Sequence, residues 1–190
     1  MLPAMGLGVE PPEEGVMDKP TRKLEERLLS RSLLLKAFGF YGIIEAFAAM
    51  AAFYFMNWQH GWPGLPMAQE GTLYAMATTM TFGAIVFSQI GMVFAARTQR
   101  QSIFRKGLGG NPLILYGILA EVLILLALIY IPVLSNIFNT AAIGLTDWLF
   151  LAIWAPFLLL MDEGRKWIMR LVDRRKPGRR LGEVTEGGIR

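Results

Sequence analysis

The chain has 190 residues, of which 54% are apolar and only 18% charged, whereas a soluble domain carries about a quarter charged residues. No charge falls between Gly71 and Ala96, and only Glu121 between Pro112 and Thr146; uncharged apolar runs of roughly 18 residues or more are long enough to cross a bilayer, which excludes a soluble single-core domain. The chain has no cysteine, which excludes a disulfide, a thiolate metal site and a cysteine nucleophile, and its net charge of +4 is concentrated in a few segments.

In chain order, the opening "MLPAMGLGVEPPEEGVM" reads as the end of a helix running into a loop. A secretory signal needs a basic flank, a longer apolar run and a cleavage site, and Pro3 breaks a helix interior. Residues 1–21 are therefore expected to be a helix end and a loop, with residues 1–9 lacking a partner helix and the least stably placed apolar segment in the chain. "TRKLEERLLSRSLLLK" has apolar residues at helical spacing among charges and predicts an interfacial helix leading into the first span. Four spans follow, about 33–57, 72–96, 112–134 and 145–161, within a membrane domain covering 22–173. The fourth is short for a hydrocarbon core of about 30 Å at about 1.5 Å per residue, so the basic stretch "DEGRKWIMRLVDRR" is expected to continue it into the interface. Residues 174–190 form a basic tail. The fold class is an all-α membrane protein: four transmembrane helices, a preceding interfacial helix and a basic cytoplasmic tail.

The 19 Lys and Arg residues fix an orientation. Six lie between Lys19 and Lys36, four between Arg97 and Lys106, and nine from Arg165 onward; none lies in 58–71 or 135–146. Basic residues concentrate in cytoplasmic loops, so both termini are expected in the cytoplasm of a multi-pass cell-membrane protein. Trp58, Trp62 and Trp148 fall where an outer aromatic belt belongs, and Trp167 at the inner interface. Lys36 can snorkel to the cytoplasmic face. The tail "RRKPGRR" suits an anionic leaflet of the lipid bilayer. No groove-reading or aromatic element accompanies it, so nucleic acid is not an expected partner.

Two carboxylates lie inside the spans, where charge costs at least about 2.5 kcal/mol and marks a functional candidate. Around Glu45, the helix face holds Phe38, Tyr41, Gly42, Ala48, Ala49 and Ala52, and its small residues let another helix approach. Glu45 is therefore expected to face the bundle, either as a protonated carboxyl bonding a neighbouring helix or as a proton- or ion-linked group. Glu121 shares its face with Gly117 and several Ile and Leu residues, a bulkier surface that could meet lipid on either side, at a depth expected in the inner half. A purely structural Glu could be replaced by Gln at lower desolvation cost, which favours a cation or proton role for Glu121. In the second span, Thr78, Thr79, Thr81 and Ser88 can bond their own helix. Gln89 needs a partner helix, a water or an ion. His60, the sole histidine, falls in an outer loop and reads as a surface residue. There is no GxxxxGK[ST] phosphate loop and no set of residues for a Ser–His–Asp triad.

The order of these features resembles the C-terminal membrane region of P-type cation-transporting ATPases, in the branch of the calcium pumps and sodium–potassium pumps. "LPAMGLGVEPPEEGVM" is similar to the end of that family's sixth helix and the loop after it, "RSLLLKAFGFYGIIEAFAAMAAFYF" to the seventh helix, and "RTQRQSIFRKG" to the loop after the eighth. "LIYIPVLSNIFNTAAIGLTDWLF" resembles the region of the ninth and tenth helices, and "MDEGRKWIMR" the ending of the tenth. The resemblance implies that Gln89 stands where calcium pumps carry a Glu, and Met92 where sodium pumps carry an Asp. An amide oxygen can ligate a cation, but a thioether serves a hard ion poorly. Glu121 falls where sodium-pump relatives have an acid linked to an additional ion or proton path. Gln89 and Glu121 are thus the candidate residues for a monovalent or divalent cation.

The family phosphorylates an Asp in an Asp-Lys-Thr-Gly motif and carries separate nucleotide and actuator domains, none of which is in this sequence. The resemblance implies that ATP and magnesium bind only to those other domains and that no cofactor binds this chain. The expected function is that of the C-terminal membrane domain of a pump cut within its sixth helix, bracing the transport core, contributing to cation transport and partnered by the N-terminal part or a full-length pump. The alternative is a standalone four-helix membrane protein that assembles with or regulates a full-length pump. A small proton- or cation-conducting bundle built on Glu45 and Glu121 is a third reading.

Overall fold

A computed structural model describes residues 2–10, 31–98, 102–107 and 109–174. Most of the expected interfacial helix, the loop after residue 10 and the basic tail from residue 175 lie outside the described residues. Among the described residues, four helical segments are long and apolar enough to cross a membrane: Leu35–Gln59, Gly71–Ala96, Pro112–Tyr130 and Leu145–Val172.

The second span is the hub. It packs along the first and fourth, while the third touches it at only a few points. Small residues make the close approach possible. Ala48 and Ala52 of the first span, and Ala77 and Ala84 of the second, are fully buried in one cluster with Met56, Met80 and Leu151. A Cβ on Gly83 would stand 2.6 Å from Leu151 Cδ1, and one on Gly91 would overlap the backbone carbonyl of Ala155. In a bilayer, helices associate through such tight van der Waals fit, because lipid is as apolar as the side chains.

The first span is not a uniform α-helix. Residues Leu35–Gly42 are wound as a π-helix before the α-helix Ile43–Gln59 begins. The wide turn changes the register of the face. Tyr41 becomes buried, and its hydroxyl donates to Asp162 Oδ1 of the fourth span at 2.7 Å. Lys36 sits over the Tyr41 ring, 5.5 Å from its centroid.

Proline shapes the third and fourth spans. The third was expected to reach residue 134 but ends at Tyr130, because Pro132 pushes Ile131 out of the helical region (ψ 116°). Pro132 also has no N–H for the carbonyl of Leu128 four residues back. Thr140 supplies the missing donor, its Oγ1 lying 2.5 Å from Leu128 O. Between them runs a short helix, Pro132–Phe138, ended by Asn139 in the left-handed region (φ 52°). The fourth span is broken at Ile153, between Leu145–Ala152 and Trp154–Arg174. Pro156 cannot donate to Ala152, which accounts for the break. The second piece runs continuously through the basic stretch to Arg174.

The N-terminal segment corrects one expectation. Residues Leu2–Gly6 form a helical turn against the start of the third span, so they do not lack a partner. Pro3 is fully buried, and Gly6 lies so close to Ile114 that a Cβ would come within 2.9 Å of its backbone nitrogen. Asn111 joins the two: its Nδ2 donates to Gly6 O at 2.8 Å and to Glu10 Oε2 at 2.9 Å, while its Oδ1 caps the third span by accepting from Leu113 N at 3.1 Å.

Candidate intramembrane cation site

The candidate residues converge on the second span. Gln89 sits one turn before Met92 on that helix, and its Nε2 donates to Glu45 Oε1 of the first span at 3.3 Å. Glu45 thus faces the bundle, as its small-residue surroundings predict. On another side of the helix, Gln89 and Glu121 line one cleft between the second and third spans, about 260 Å³ in volume. The remaining lining is apolar, with Phe82, Val86 and Leu125 among it.

Glu121 is buried against protein. It is 9% exposed and belongs to a buried stripe with Ile114, Leu125 and Ile129, spaced at helical intervals, while Leu119 and Leu123 are turned outward. The helix bounds of Pro112 and Tyr130 put Glu121 at the midpoint of the third span. The chemistry offered is one carboxylate and one amide in an otherwise apolar cleft. The Gln89 amide group bonds through its nitrogen to Glu45, leaving its oxygen as the group available to a cation. A calcium ion takes six to eight oxygens, more than these two side chains supply. Among the described residues, no three His, Cys, Asp or Glu side chains form a metal-binding group.

Thr78, Thr79 and Thr81 of the second span bond its own backbone, whereas Ser88, expected to do the same, is buried with its hydroxyl making no hydrogen bond among the described residues. Thr78 donates to Tyr74 O and Ala75 O at 3.0 Å, Thr79 to Ala75 O at 2.7 Å and Thr81 to Ala77 O at 3.0 Å. Thr79 has a second task, accepting from Ala141 N at 3.0 Å and so tying the loop after the third span to the second. Met92 packs in an apolar cluster with Tyr41, Ile44 and Leu158, a packing role for a side chain poorly suited to a hard ion. His60 rests its Nδ1 2.9 Å from Met56 O and, among the described residues, belongs to no cluster of metal ligands.

Two ionic knots at the basic end were not anticipated. In the first, Lys166 is fully buried. Its Nζ lies 2.7 Å from Asp162 Oδ2, 2.8 Å from Thr98 Oγ1 and 3.2 Å from Ala95 O. Asp162 Oδ1 also accepts from the Tyr41 hydroxyl and from Arg165 Nε at 2.8 Å, with Arg165 Nη2 in ion-pair contact at 2.6 Å. Glu163 accepts from Ile103 N at 3.0 Å. The knot therefore joins the first, second and fourth spans and the short helix Ile103–Lys106. In the second, Arg97 holds Glu10 Oε1 through Nε at 3.1 Å and Nη2 at 3.0 Å, and donates from Nη1 to Gly107 O at 2.9 Å. Both pairs are almost inaccessible to water. The i,i+4 spacing of Asp162 and Lys166 was the available sequence signal.

Fold and cleft together define a multi-pass helical membrane domain with polar side chains gathered in its interior. Residues 1–168 match the family described as cation transporting ATPase, C-terminus, and the chain belongs to it. Among its relatives is human calcium-transporting ATPase type 2C member 2, 32% identical over 161 residues, covering 85% of this chain and 16% of that protein. Mouse calcium-transporting ATPase type 2C member 1 is 30% identical over 183 residues, 96% of this chain and 18% of that protein. Calcium-transporting ATPase 1 of Yarrowia lipolytica is 29% identical over 168 residues, 88% of this chain and 17% of that protein. The chain thus spans less than a fifth of the length of these relatives.

Proposed function

We propose that this C-terminal membrane domain works inside an ATP-driven cation pump, bracing the transport path and contributing Gln89 and Glu121 to it. The observation that carries the reading is the shared cleft: two polar side chains from different spans face one intramembrane space, and Glu45 orients one of them. Glu45 acts here through Gln89. The names of the relatives support a cation as cargo and point to calcium. With two side chains here, a divalent ion would complete its oxygen shell from other parts of the pump or from water. ATP and magnesium act in those other parts, which form this chain's partner. The distribution of Lys and Arg supports a cell-membrane orientation with both termini cytoplasmic.

The test is ATP-dependent uptake of radioactive calcium into vesicles of membranes bearing the assembled pump, with Gln89→Leu as the variant. The reading expects a higher calcium concentration for half-maximal uptake at an unchanged amount of membrane protein. An unchanged concentration dependence removes Gln89 from the path.

A further inference from the structure

The cleft at Gln89 and Glu121 is the floor of a longer groove between the second and third spans. Two further clefts continue it towards the end of the bundle that has no Lys or Arg. The middle one, about 240 Å³, shares Phe82 and Leu128 with the floor. The mouth, about 460 Å³, shares Asn139 and Thr140 with the middle and includes Glu70 at the start of the second span. From Glu70 to Gln89 the helix rises by about 28 Å at about 1.5 Å per residue. Each cleft is several times the roughly 30 Å³ that one water occupies in the liquid.

The backbone explains why the groove stays open. Pro132 ends the third span early and sends the chain sideways through Pro132–Phe138. Thr140 and Thr79 then pin the returning loop by their bonds to Leu128 O and Ala141 N. The side chains present acceptors. The Thr78 hydroxyl directs its proton to Tyr74 O and Ala75 O, so its oxygen lone pairs are what it offers the groove. Glu70 lies at the mouth and Glu121 at the floor. No Lys or Arg occurs between Lys36 and Arg97 or between Lys106 and Arg165, so neither wall carries a positive side chain. A cleft of one sign with low-dielectric walls concentrates the opposite charge.

We propose that this groove is a hydrated access route by which a cation passes between the Lys- and Arg-free face of the membrane and the Gln89–Glu121 cleft. The proposal rests on the reading of that cleft as part of a cation path, and adds the side from which it is reached.

These 190 residues contribute no cysteine, so each introduced cysteine is read as labelling above that of the parent membranes. The variants Glu70→Cys, Thr78→Cys and Leu128→Cys are made in the full chain in its native membranes. Leu123→Cys, 55% exposed on the outward face of the third span, is the control. The probe is a membrane-impermeant trimethylammonium thiosulfonate, added to one side of sealed vesicles at a time. Thr78→Cys and Leu128→Cys are expected to label from the same side as Glu70→Cys, and Leu123→Cys from neither. Loss of labelling at both Thr78→Cys and Leu128→Cys, with Glu70→Cys still labelled, overturns the route. So does labelling of Leu123→Cys at the same rate as the groove positions. Two positions on opposite walls guard against one variant misfolding. Labelling does not measure transport, so a groove that labels alongside a silent Gln89→Leu variant faults the cation-site reading and not the route.

Discussion

Lys166→Met is the sharpest probe of how the spans are held together. The change removes an ammonium group that is fully buried and touches Asp162, Thr98 and the carbonyl of Ala95. Removing one partner of a buried ion pair costs about 3–5 kcal/mol, because the other charge stays buried without it. Here Asp162 keeps Arg165 at 2.6 Å and the Tyr41 hydroxyl at 2.7 Å, which places the loss at the lower end, about 3 kcal/mol. The second measurement is the coupling to Thr98. Thr98→Val removes a hydroxyl that the ammonium bonds, worth about 1.5–3 kcal/mol for a charged partner. In the Lys166→Met background the same substitution should cost much less, since its partner is gone. The assay is reversible unfolding in mixed micelles, with unfolding followed by the fluorescence of buried Trp154. A Lys166→Met variant within about 0.5 kcal/mol of the parent, the range of ordinary surface substitutions, refutes the assignment of this knot as a structural centre.

Other consequences follow from single contacts. Gly91→Val places two methyl groups where the Ala155 backbone lies; overpacking of about 1–3 kcal/mol or more should appear in the same unfolding assay, with no change for Gly8→Val, whose Cβ meets nothing within 4 Å. Thr140→Val leaves Leu128 O without the donor that replaces the missing Pro132 N–H, a cost of about 1–3 kcal/mol, and should speed amide exchange in 130–141. Glu45→Met removes the acceptor for the Gln89 amide, whereas Glu45→Gln keeps one. Half-saturating calcium in vesicle uptake should therefore rise for Glu45→Met and return close to the parent for Glu45→Gln. An equal rise for both variants shows that the charge of Glu45 matters and its orienting bond does not.

The sequence made the four spans legible because transmembrane helices write themselves in composition. An apolar run of the right length has few alternatives in a bilayer, where every backbone group must be bonded within the segment. Gln89 and Glu45 were legible as candidates for the same reason: a polar group at that depth is costly and conspicuous. Their meeting was not, since it depends on how the first span turns through the π-helix at Leu35–Gly42. Glu121 was harder still. The bulky residues on its face suit lipid and protein alike, and only the packing of 2–10 and the second span against the third decides which side is covered. The early end of the third span was written in Pro132, whose effect on Ile131 is local chemistry that a hydrophobicity pattern overlooks. The ionic knots were hidden by their own abundance. Arg97 and Lys166 were two of 19 basic residues whose distribution reads as orientation, and burial alone separates them from the rest.

The central claim is that the cleft between the second and third spans lies on the cation path. The number of calcium ions moved per ATP by the assembled pump carrying Glu121→Gln, together with its half-saturating calcium concentration, tests that claim most directly. The account predicts that at least one of the two changes while the variant remains as abundant in the membrane as the parent. If both values match the parent, Glu121 is a packing residue and the cleft lies off the path.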